Sequence, residues 1–330
     1  MSPASDGNEA DRGFEATFDA VNSALVRAPL PGPASGIDPA PIPLIYVVGV
    51  PRAGTTLASQ VLARALDVGY VNNLIARFWL RPSVGIRLSR VLGTSTDRGL
   101  IDLGSTWGET MGAAGPHEFG HFWTHWLRLA DAPTHRLDGD HLARLDAAGL
   151  RGALEQEILA EFAGPVVLRN PICGLQARFL ASVHPASLFV HVTRDPLDVC
   201  LSLLRARRDK LGSEATWWSV RPGGMEIVPD DPVDQVVRQV TDTRSQLDTE
   251  LDGLGQRSLA VAYQDLCASP EMQVRLVSER VRELFSVDIP LLWHPTALMP
   301  QEHRGDNPEL TDKVAARLFE ARPTPIEERA

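Results

Sequence analysis

The stretch Leu44-Ile-Tyr-Val-Val-Gly-Val-Pro-Arg-Ala-Gly-Thr-Thr-Leu57 decides the fold of this 330-residue chain. An apolar run typical of a buried strand leads into a loop bounded by Gly49 and Gly54. Apolar residues then recur with helical spacing from Leu57 to Leu66. Backbone N–H groups at such a helix start bind anions through hydrogen bonds and the helix dipole. The stretch therefore predicts a strand, a phosphate-binding loop and a helix, with an ordinary strand-to-helix turn as the alternative.

The loop departs from the nucleotide-binding template GxxxxGK[ST] at one position. Gly49, Gly54 and Thr56 match the template, whereas Thr55 stands in place of its lysine. In ATP and GTP enzymes that lysine reaches the β- and γ-phosphates, so its absence argues against triphosphate chemistry. Arg52 instead places a cation inside the loop.

Short apolar strands alternate with longer helical patterns through the rest of the chain, which predicts an α/β fold with a central parallel sheet. The strand candidates are Leu44–Val50, Val166–Leu168, Leu188–Val192 and Leu259–Tyr263. The helix candidates that follow them are Thr55–Leu66, Ile172–Val183, Pro196–Arg208 and Pro270–Leu284.

The other segments lie before, within and after this pattern. Residues 1–41 are rich in proline and are expected to form a partly flexible arm, with an amphipathic helix around Phe14–Val26 that packs on the body or a partner. Residues 42–320 are expected to form one domain, with a helical insertion at about residues 78–150 that builds a pocket. Residues 321–330 are expected to be a tail.

Composition argues against several classes of protein. The chain has 42 acidic and 32 basic residues and a formal charge of −10, which argues against nucleic-acid binding. No apolar run approaches the roughly 20 residues of a transmembrane helix, and the N-terminus does not resemble a secretory signal. Three separate cysteines without CxxC spacing argue against a disulfide framework or a zinc site. We expect a cytoplasmic protein; the near-exclusive use of arginine over lysine indicates a GC-rich bacterial genome.

A second candidate anion site follows the strand Leu188–Val192. Asp195 is a good helix N-cap and Pro196 suits the first helical position, so a helix start is well specified there. Arg194 then lies at the carboxyl end of a strand, where open α/β sheets place ligand contacts, and Ser202 follows in the helix. Taken alone, Arg194 would be a surface ion-pair partner and Ser202 a solvated hydroxyl.

Together, the two motifs resemble those of the bacterial sulfotransferases that use 3'-phosphoadenosine 5'-phosphosulfate (PAPS). The resemblance implies a P-loop three-layer fold whose insertion forms the acceptor pocket. It also implies transfer of a sulfuryl group from PAPS to a hydroxyl, less readily an amine, of a small-molecule or glycan acceptor, leaving adenosine 3',5'-bisphosphate (PAP). The donor site that it implies consists of Arg52, Ala53, Gly54, Thr55 and Thr56 for the 5'-phosphosulfate and of Arg194 and Ser202 for the 3'-phosphate.

Two further segments are similar to family motifs. Val261–Pro270 resembles the Tyr-Glu-Asp-Leu segment, which implies that Tyr263 lies beside the adenine, although Gln264 replaces the usual glutamate. A core tyrosine is the alternative. Val167–Pro171 resembles the Leu-Lys-Ser/Thr-Pro segment of many bacterial members, so Arg169 would be a second cation near the leaving group or a structural ion-pair partner.

The general base is the least defined part of the expected site. Many members place a glutamate or histidine shortly after the phosphate loop, but this chain has Asn72 and Asn73, which cannot accept a proton. The segment Gly115–Trp123 offers Glu118, the expected base, and His117, the second candidate. Together with Arg52 at the leaving group, these are the expected catalytic residues.

A helix starting at Glu118 would place Glu118, His121 and His125 on one face. Burial among the neighbouring aromatic residues would raise a carboxyl pKa toward neutrality or tune a histidine. A zinc site and a purely structural polar helix are the alternatives for this segment. No metal is expected, because PAPS has no γ-phosphate.

Several choices stay open at this level. An acceptor pocket could use Phe78, Trp79, Trp217 and Trp218, although core packing is the commoner role of paired aromatic residues. A solvated helix face is expected for Arg205, Arg207 and Arg208, with a grip on the 3'-phosphate as the alternative. A homodimer is compatible with the sequence. The rival functions are a P-loop kinase with a divergent Walker loop and a non-catalytic nucleotide-binding protein.

Overall fold

The computed structural model describes residues 6–28, 42–225, 227–301, 304 and 306–321. Five parallel strands form one sheet in the order β2-β3-β1-β4-β5. The strands are β1 (Leu44–Val48), β2 (Gly69–Tyr70), β3 (Val166–Arg169), β4 (Ser187–Thr193) and β5 (Ser258–Ala262). The predicted α/β fold with a central parallel sheet is confirmed.

Fourteen α-helices lie in the described residues. They are α1 (Asp6–Arg27), α2 (Thr55–Ala65), α3 (Pro82–Val91), α4 (Gly120–Trp126), α5 (Gly139–Ala143), α6 (Ala147–Gly152), α7 (Ala160–Phe162), α8 (Pro171–Gly174), α9 (Ala177–Val183), α10 (Pro196–Leu211), α11 (Pro232–Asp252), α12 (Tyr263–Ala268), α13 (Pro270–Phe285) and α14 (Pro308–Glu320). A π-helical segment, Ala153–Leu159, connects α6 to α7, and short 3-10 turns occupy Ile75–Phe78, Arg98–Leu100, Leu129–Asp131 and Gly255–Arg257.

The central strand β1 separates two hydrophobic cores. All five of its residues are fully buried, which explains why its sequence is a continuous apolar run rather than an alternating one. Tyr46 faces the core that includes Val199 of α10 and Val236 of α11. Ile45 and its neighbour Val47 face the core formed with α2 and α13. Helices therefore cover both faces of the sheet, which makes three layers.

The sequence missed one strand and joined two helices. β2 has only two residues, Gly69 and Tyr70, which pair with Val166 and Val167, so it carries no periodic signal of its own. The helix predicted over Ile172–Val183 is two helices, because the chain turns at Leu175 and Gln176 between α8 and α9.

The insertion over residues 78–150 is only partly helical. Between α3 and α4 the chain is mostly irregular, and Gly93, Gly108 and Gly112 adopt positive φ angles. Side chains from the body hold this irregular segment in place. Gln60 of α2 donates to the carbonyls of Asp102 and Gly104, at 2.8 Å each.

The expected amphipathic helix is α1, which is longer than predicted and packs on the body. Asn22 is fully buried there and bonds the chain around Arg77 and Leu80. Most of the predicted tail and residues 29–41 of the predicted arm lie outside the described residues. Within the described part of the chain, no helix combines the length and the apolar character needed to span a bilayer.

Candidate active site

The predicted phosphate loop connects β1 to α2 at the carboxyl edge of the sheet. Gly54 has a φ of 105°, and a Cβ atom on it would lie 2.4 Å from the ring of Tyr263, so only glycine fits this position. Arg52 also has a positive φ, 72°. Gly54 caps α2 without any side-chain hydrogen bond, so the N–H groups of the first turn have no side-chain acceptor. This arrangement provides an anion site.

Arg52 and Ser202 connect the two predicted anion motifs. The Nε of Arg52 donates to the Oγ of Ser202 at 3.1 Å, and Ser202 is fully buried in α10. Burial and the nearby charge of Arg194 lower the pKa of Arg52 to about 10, so the guanidinium stays charged at neutral pH. Two like charges held together in a partly buried place attract an anion, because an anion relieves their repulsion.

Arg194 lies against Tyr263 on the other side of the loop. Its guanidinium is 4.4 Å from the ring centre of Tyr263 and donates to the carbonyl of Arg52 at 3.3 Å. It also donates to the carbonyl of Gln301, whose N–H donates to the Tyr263 hydroxyl at 2.9 Å. These contacts join segments that are far apart in the sequence. Arg194 and Tyr263 directly follow β4 and β5, Arg52 lies in the loop after β1, and Gln301 lies in the segment before α14.

Arg169, the last residue of β3, joins the loop to the predicted base. Its Nη1 donates to the Oγ1 of Thr56 at 2.6 Å and to the Oε1 of Glu118 at 3.0 Å. Only 3% of the Arg169 side chain is exposed, whereas 44% of the Glu118 side chain is exposed. Burial lowers the pKa of Arg169, and the charge of Glu118 opposes that shift. A single guanidinium therefore separates Glu118 from the phosphate loop.

The environment expected for Glu118 is corrected by its geometry. Phe119 has a φ of 57°, so α4 begins at Gly120 and Glu118 precedes the helix. Glu118 consequently does not share a helical face with His121. It is ion-paired and partly exposed rather than buried among aromatic rings, because the chain reverses at Phe119 and turns that ring into the core.

His117 is held in one tautomer. Its Nδ1 accepts a hydrogen bond from the N–H of Phe119 at 2.8 Å, so the neutral ring carries its proton on Nε2. Burial, followed by the positive charge of Arg169, lowers the pKa of His117 from 6.5 to about 4. A neutral histidine whose acceptor nitrogen is already engaged is poorly placed to take a proton from a substrate.

This shift predicts a pH-dependent contribution to folding. Because the pKa of His117 is lower in the folded state, its contribution is complete above pH 6.5 and is lost as the pH falls toward 4. The loss amounts to about 3 kcal/mol of the free energy of unfolding. His117→Asn keeps an acceptor for the Phe119 N–H and should lose less stability than the wild type between pH 7 and 4. Urea unfolding at both pH values measures the difference, and equal losses would contradict it.

One cavity of about 1260 Å³ brings these residues together. Its lining includes the phosphate-loop residues with two residues that contact the loop, and the cluster around the predicted base: Arg52, Gly54, Thr55, Thr56, Arg194 and Tyr263, and Arg169, His117 and Glu118. Of the predicted aromatic residues, Trp79 and Trp218 line the cavity, whereas Phe78 and Trp217 are not among its described lining residues. Two further predicted site residues, Ala53 and Ser202, are not among the described lining residues of the cavity. The Ala53 N–H donates to the carbonyl of Val50 at 3.0 Å, and the Ser202 hydroxyl accepts from Arg52.

Asn72 and Asn73 have structural contacts. Asn72 is fully buried, donates to Ser89 at 2.8 Å and accepts from the N–H of Ile75. Asn73 donates to the carbonyl of Gly112 at 2.7 Å. These two side chains therefore hold the insertion in place.

Arg207 is not on a solvated helix face, contrary to expectation. It is fully buried and donates to Gln235 at 2.8 Å and Gln239 at 2.9 Å, with its guanidinium 5.0 Å from the ring centre of Trp217. Burial lowers its pKa to about 10. α11 packs over this side of α10, and the local sequence pattern of α10 does not predict that contact. Arg205 and Arg208 remain partly exposed and pair with acidic residues.

Three contacts to the site carry no sequence signal. Arg304 binds Asp198 at 2.7 Å and Asp195 at 2.9 Å, so it fixes the start of α10 from a distant segment. Trp107 lies 5.8 Å from the Arg52 guanidinium. Lys210 forms an ion pair with Glu109, and both residues line the cavity. Among the described residues, no group of three histidine, cysteine or acidic side chains is placed to hold a metal ion.

The sequence matches the sulfotransferase family over residues 43–283, more than half of the chain, so the chain belongs to this family. No curated protein matches it. Similar solved structures include the sulfotransferase STF9 from Mycobacterium avium, at 16% identity and TM-score 0.47 over 88% of this chain and 79% of that one. The sulfotransferase STF1 from Mycobacterium tuberculosis H37Rv is 17% identical, with a TM-score of 0.45 over 85% of this chain and 77% of that one. The sulfotransferase from Alicyclobacillus acidocaldarius is 15% identical, with a TM-score of 0.40 over 84% of this chain and 94% of that one.

Proposed function

We propose that this sulfotransferase takes its sulfuryl group from PAPS and transfers it to a hydroxyl of a small-molecule acceptor. The observation that carries the proposal is the direct contact between the two anion motifs. Arg52 bonds Ser202 of the second motif, and Arg194 bonds the Arg52 carbonyl of the first. A donor with phosphate groups at both its 5' and 3' positions needs two such sites side by side.

The residues present fit such a donor. The Nε atoms of Arg169 and Arg194 are buried and have no hydrogen-bond partner in the described part of the chain, so the site contains unused donors for an anion. The first turn of α2 has no side-chain cap. Tyr263 lies against Gly54 and Arg194, in a position to pack against a flat base. Thr55 in place of the Walker lysine fits a donor that has no γ-phosphate.

In transfer, the chain's residues stabilise the charge that develops as the bridging oxygen departs. Arg52 and the N–H groups at the start of α2 are proposed to act on that oxygen, since both lie in the loop. Arg169 is proposed to hold Thr56 and Glu118 in fixed positions, because one of its nitrogens bonds both. Such preorganised donors lower the barrier because they need no rearrangement during the reaction.

Glu118 is proposed as the base that takes the acceptor proton. Arg169 holds its Oε1, and within the described residues no donor bonds its Oε2. It lines the same cavity as the donor loop. His117 is the weaker candidate. Its Nδ1, the nitrogen that could accept a proton, already accepts a hydrogen bond from the Phe119 N–H, and its pKa is lowered to about 4.

The proposal is tested by incubating the protein with ³⁵S-labelled PAPS and a mixture of hydroxylated acceptors. Transfer of label to any acceptor, coupled to PAP release, supports it. Single-turnover experiments that show donor binding but no transfer to any acceptor pool would favour a non-catalytic nucleotide-binding protein instead.

Turnover is expected to be independent of magnesium. Three arginines supply positive charge around the phosphate loop: Arg52 lies within it, Arg194 donates to its Arg52 carbonyl and Arg169 donates to Thr56. Activity should therefore be equal with and without EDTA in a matched buffer. Loss of activity in EDTA, restored by added magnesium, would contradict this expectation.

A further inference from the structure

The cavity has a second wall that belongs to the N-terminal helix. Phe18 of α1 lines the cavity together with Trp79, His121 and Thr124. The rings of Trp79 and His121 stack, with their centres 4.8 Å apart. His121 is on the first turn of α4, three residues after the proposed base Glu118, and none of these four residues belongs to the proposed donor site. This wall is therefore on the acceptor side of the cavity.

Helix α1 is fixed to the body by specific contacts with the turn Ile75–Phe78 and with Leu80 just after it. Asn22 donates to the carbonyl of Arg77 at 2.8 Å and accepts from the N–H of Leu80 at 3.0 Å. The ring of Phe18 meets the ring of Phe78 edge to face, with centres 6.2 Å apart. An asparagine buried with both ends of its amide engaged fixes the helix in one position, because shifting it would leave polar groups unpaired. The position of Phe18 in the cavity is thus well determined.

This wall presents the flat rings of Phe18, Trp79 and His121, with Arg77 and Thr124 as polar members beside them. Polyhydroxylated sugars are usually bound by amide and carboxylate side chains that accept and donate hydrogen bonds. One residue of this kind, Gln301, lies beside Arg194. The others among the described lining residues are Asn73, Glu109 and Glu118. Asn73 is engaged by Gly112, Glu109 by Lys210 and Glu118 by Arg169.

We propose that α1 is part of the acceptor site, where Phe18 with Trp79 selects a flat apolar alcohol, such as a phenol or a fused-ring alcohol, over a sugar. This inference rests on the proposed function, because it takes the donor to occupy the other end of the same cavity. Phe18 is then a specificity-determining residue supplied by a segment outside the matched family region, which begins at residue 43.

The test uses calorimetric titration of 2-naphthol into the full-length protein saturated with PAP. The wild type should bind 2-naphthol, and glucose at the same concentrations should give no binding. Phe18→Ala should weaken 2-naphthol binding about tenfold, since it removes an aromatic contact and its buried area. The matched control is Asp19→Ala, an exposed neighbour on the same helix, which should leave binding unchanged.

The Phe18→Leu variant controls for unfolding of α1 in Phe18→Ala, because leucine keeps an apolar side chain in the helix and removes only the flat ring. It should also weaken 2-naphthol binding, with PAP binding unchanged in every variant. If PAP binds but 2-naphthol does not, or if glucose binds instead, the inference is overturned while the proposed function stands. Equal 2-naphthol binding by Phe18→Ala and the wild type overturns it as well. Failure of PAP to bind overturns the proposed function and this inference together.

Discussion

Replacing Glu118 with glutamine is expected to lower kcat by about 10²–10⁴, the usual contribution of a positioned general base. Glutamine keeps the shape of the side chain and an oxygen that accepts from Arg169, so the contact at 3.0 Å can persist. PAP binding should therefore stay unchanged. The loss should appear in kcat because the group acts on the acceptor proton during transfer.

Glu109→Gln is the matched control for this substitution. Glu109 is the other carboxylate that lines the cavity in the described residues, and it pairs with Lys210. Its replacement should alter kcat by far less than the replacement of Glu118. A Glu118→Gln variant with near wild-type turnover would rule out Glu118 as the base.

Replacing Arg52 with methionine is expected to lower kcat by about 10²–10³, the cost of removing one preorganised donor from a developing negative charge. The guanidinium is mostly buried, bonds Ser202 and lies near Arg194. Methionine keeps the length of the side chain but carries no charge. Steady-state kinetics with saturating donor separate this loss from weaker donor binding.

Arg275→Met is the control for Arg52→Met, because Arg275 is exposed on α13 and pairs with Glu271 away from the cavity. Surface ion pairs of that kind contribute little, so this variant should behave as the wild type. Ser202→Ala provides an intermediate case. It removes the hydroxyl that accepts from the Arg52 Nε at 3.1 Å, and its kcat should fall between those of the wild type and Arg52→Met. Wild-type kcat in Arg52→Met would contradict the role of this arginine.

The sequence predicted the elements that have strong local signals. The four longer strands lie within two residues of their predicted bounds, because fully buried parallel strands are apolar without interruption. The loop from Gly49 to Thr56 was recognisable because strand, loop and helix occur in one continuous stretch. β2 could not be predicted, since a two-residue strand has no periodicity and exists only through its pairing with β3.

Contacts between distant segments account for what the sequence left out of the site. Arginine is usually a surface residue, and Arg207 is buried because two glutamines of α11 accept its hydrogen bonds. The start of α4 depends on one backbone angle at Phe119, which no residue pattern encodes. Phe18 falls within the predicted amphipathic helix, but its place in the cavity depends on where Asn22 anchors that helix. Tertiary context overrides local preference in each case.

The most direct test of the central claim is calorimetric titration of the wild type and Arg194→Ala with PAP, alongside magnesium ATP. Arg194 joins the Tyr263 ring to the phosphate loop, so its loss should remove most PAP binding while the fold stays intact by circular dichroism. The account predicts binding of PAP by the wild type, weak or no binding of magnesium ATP, and loss of PAP binding in Arg194→Ala. Binding of magnesium ATP without binding of PAP would contradict it and favour a kinase.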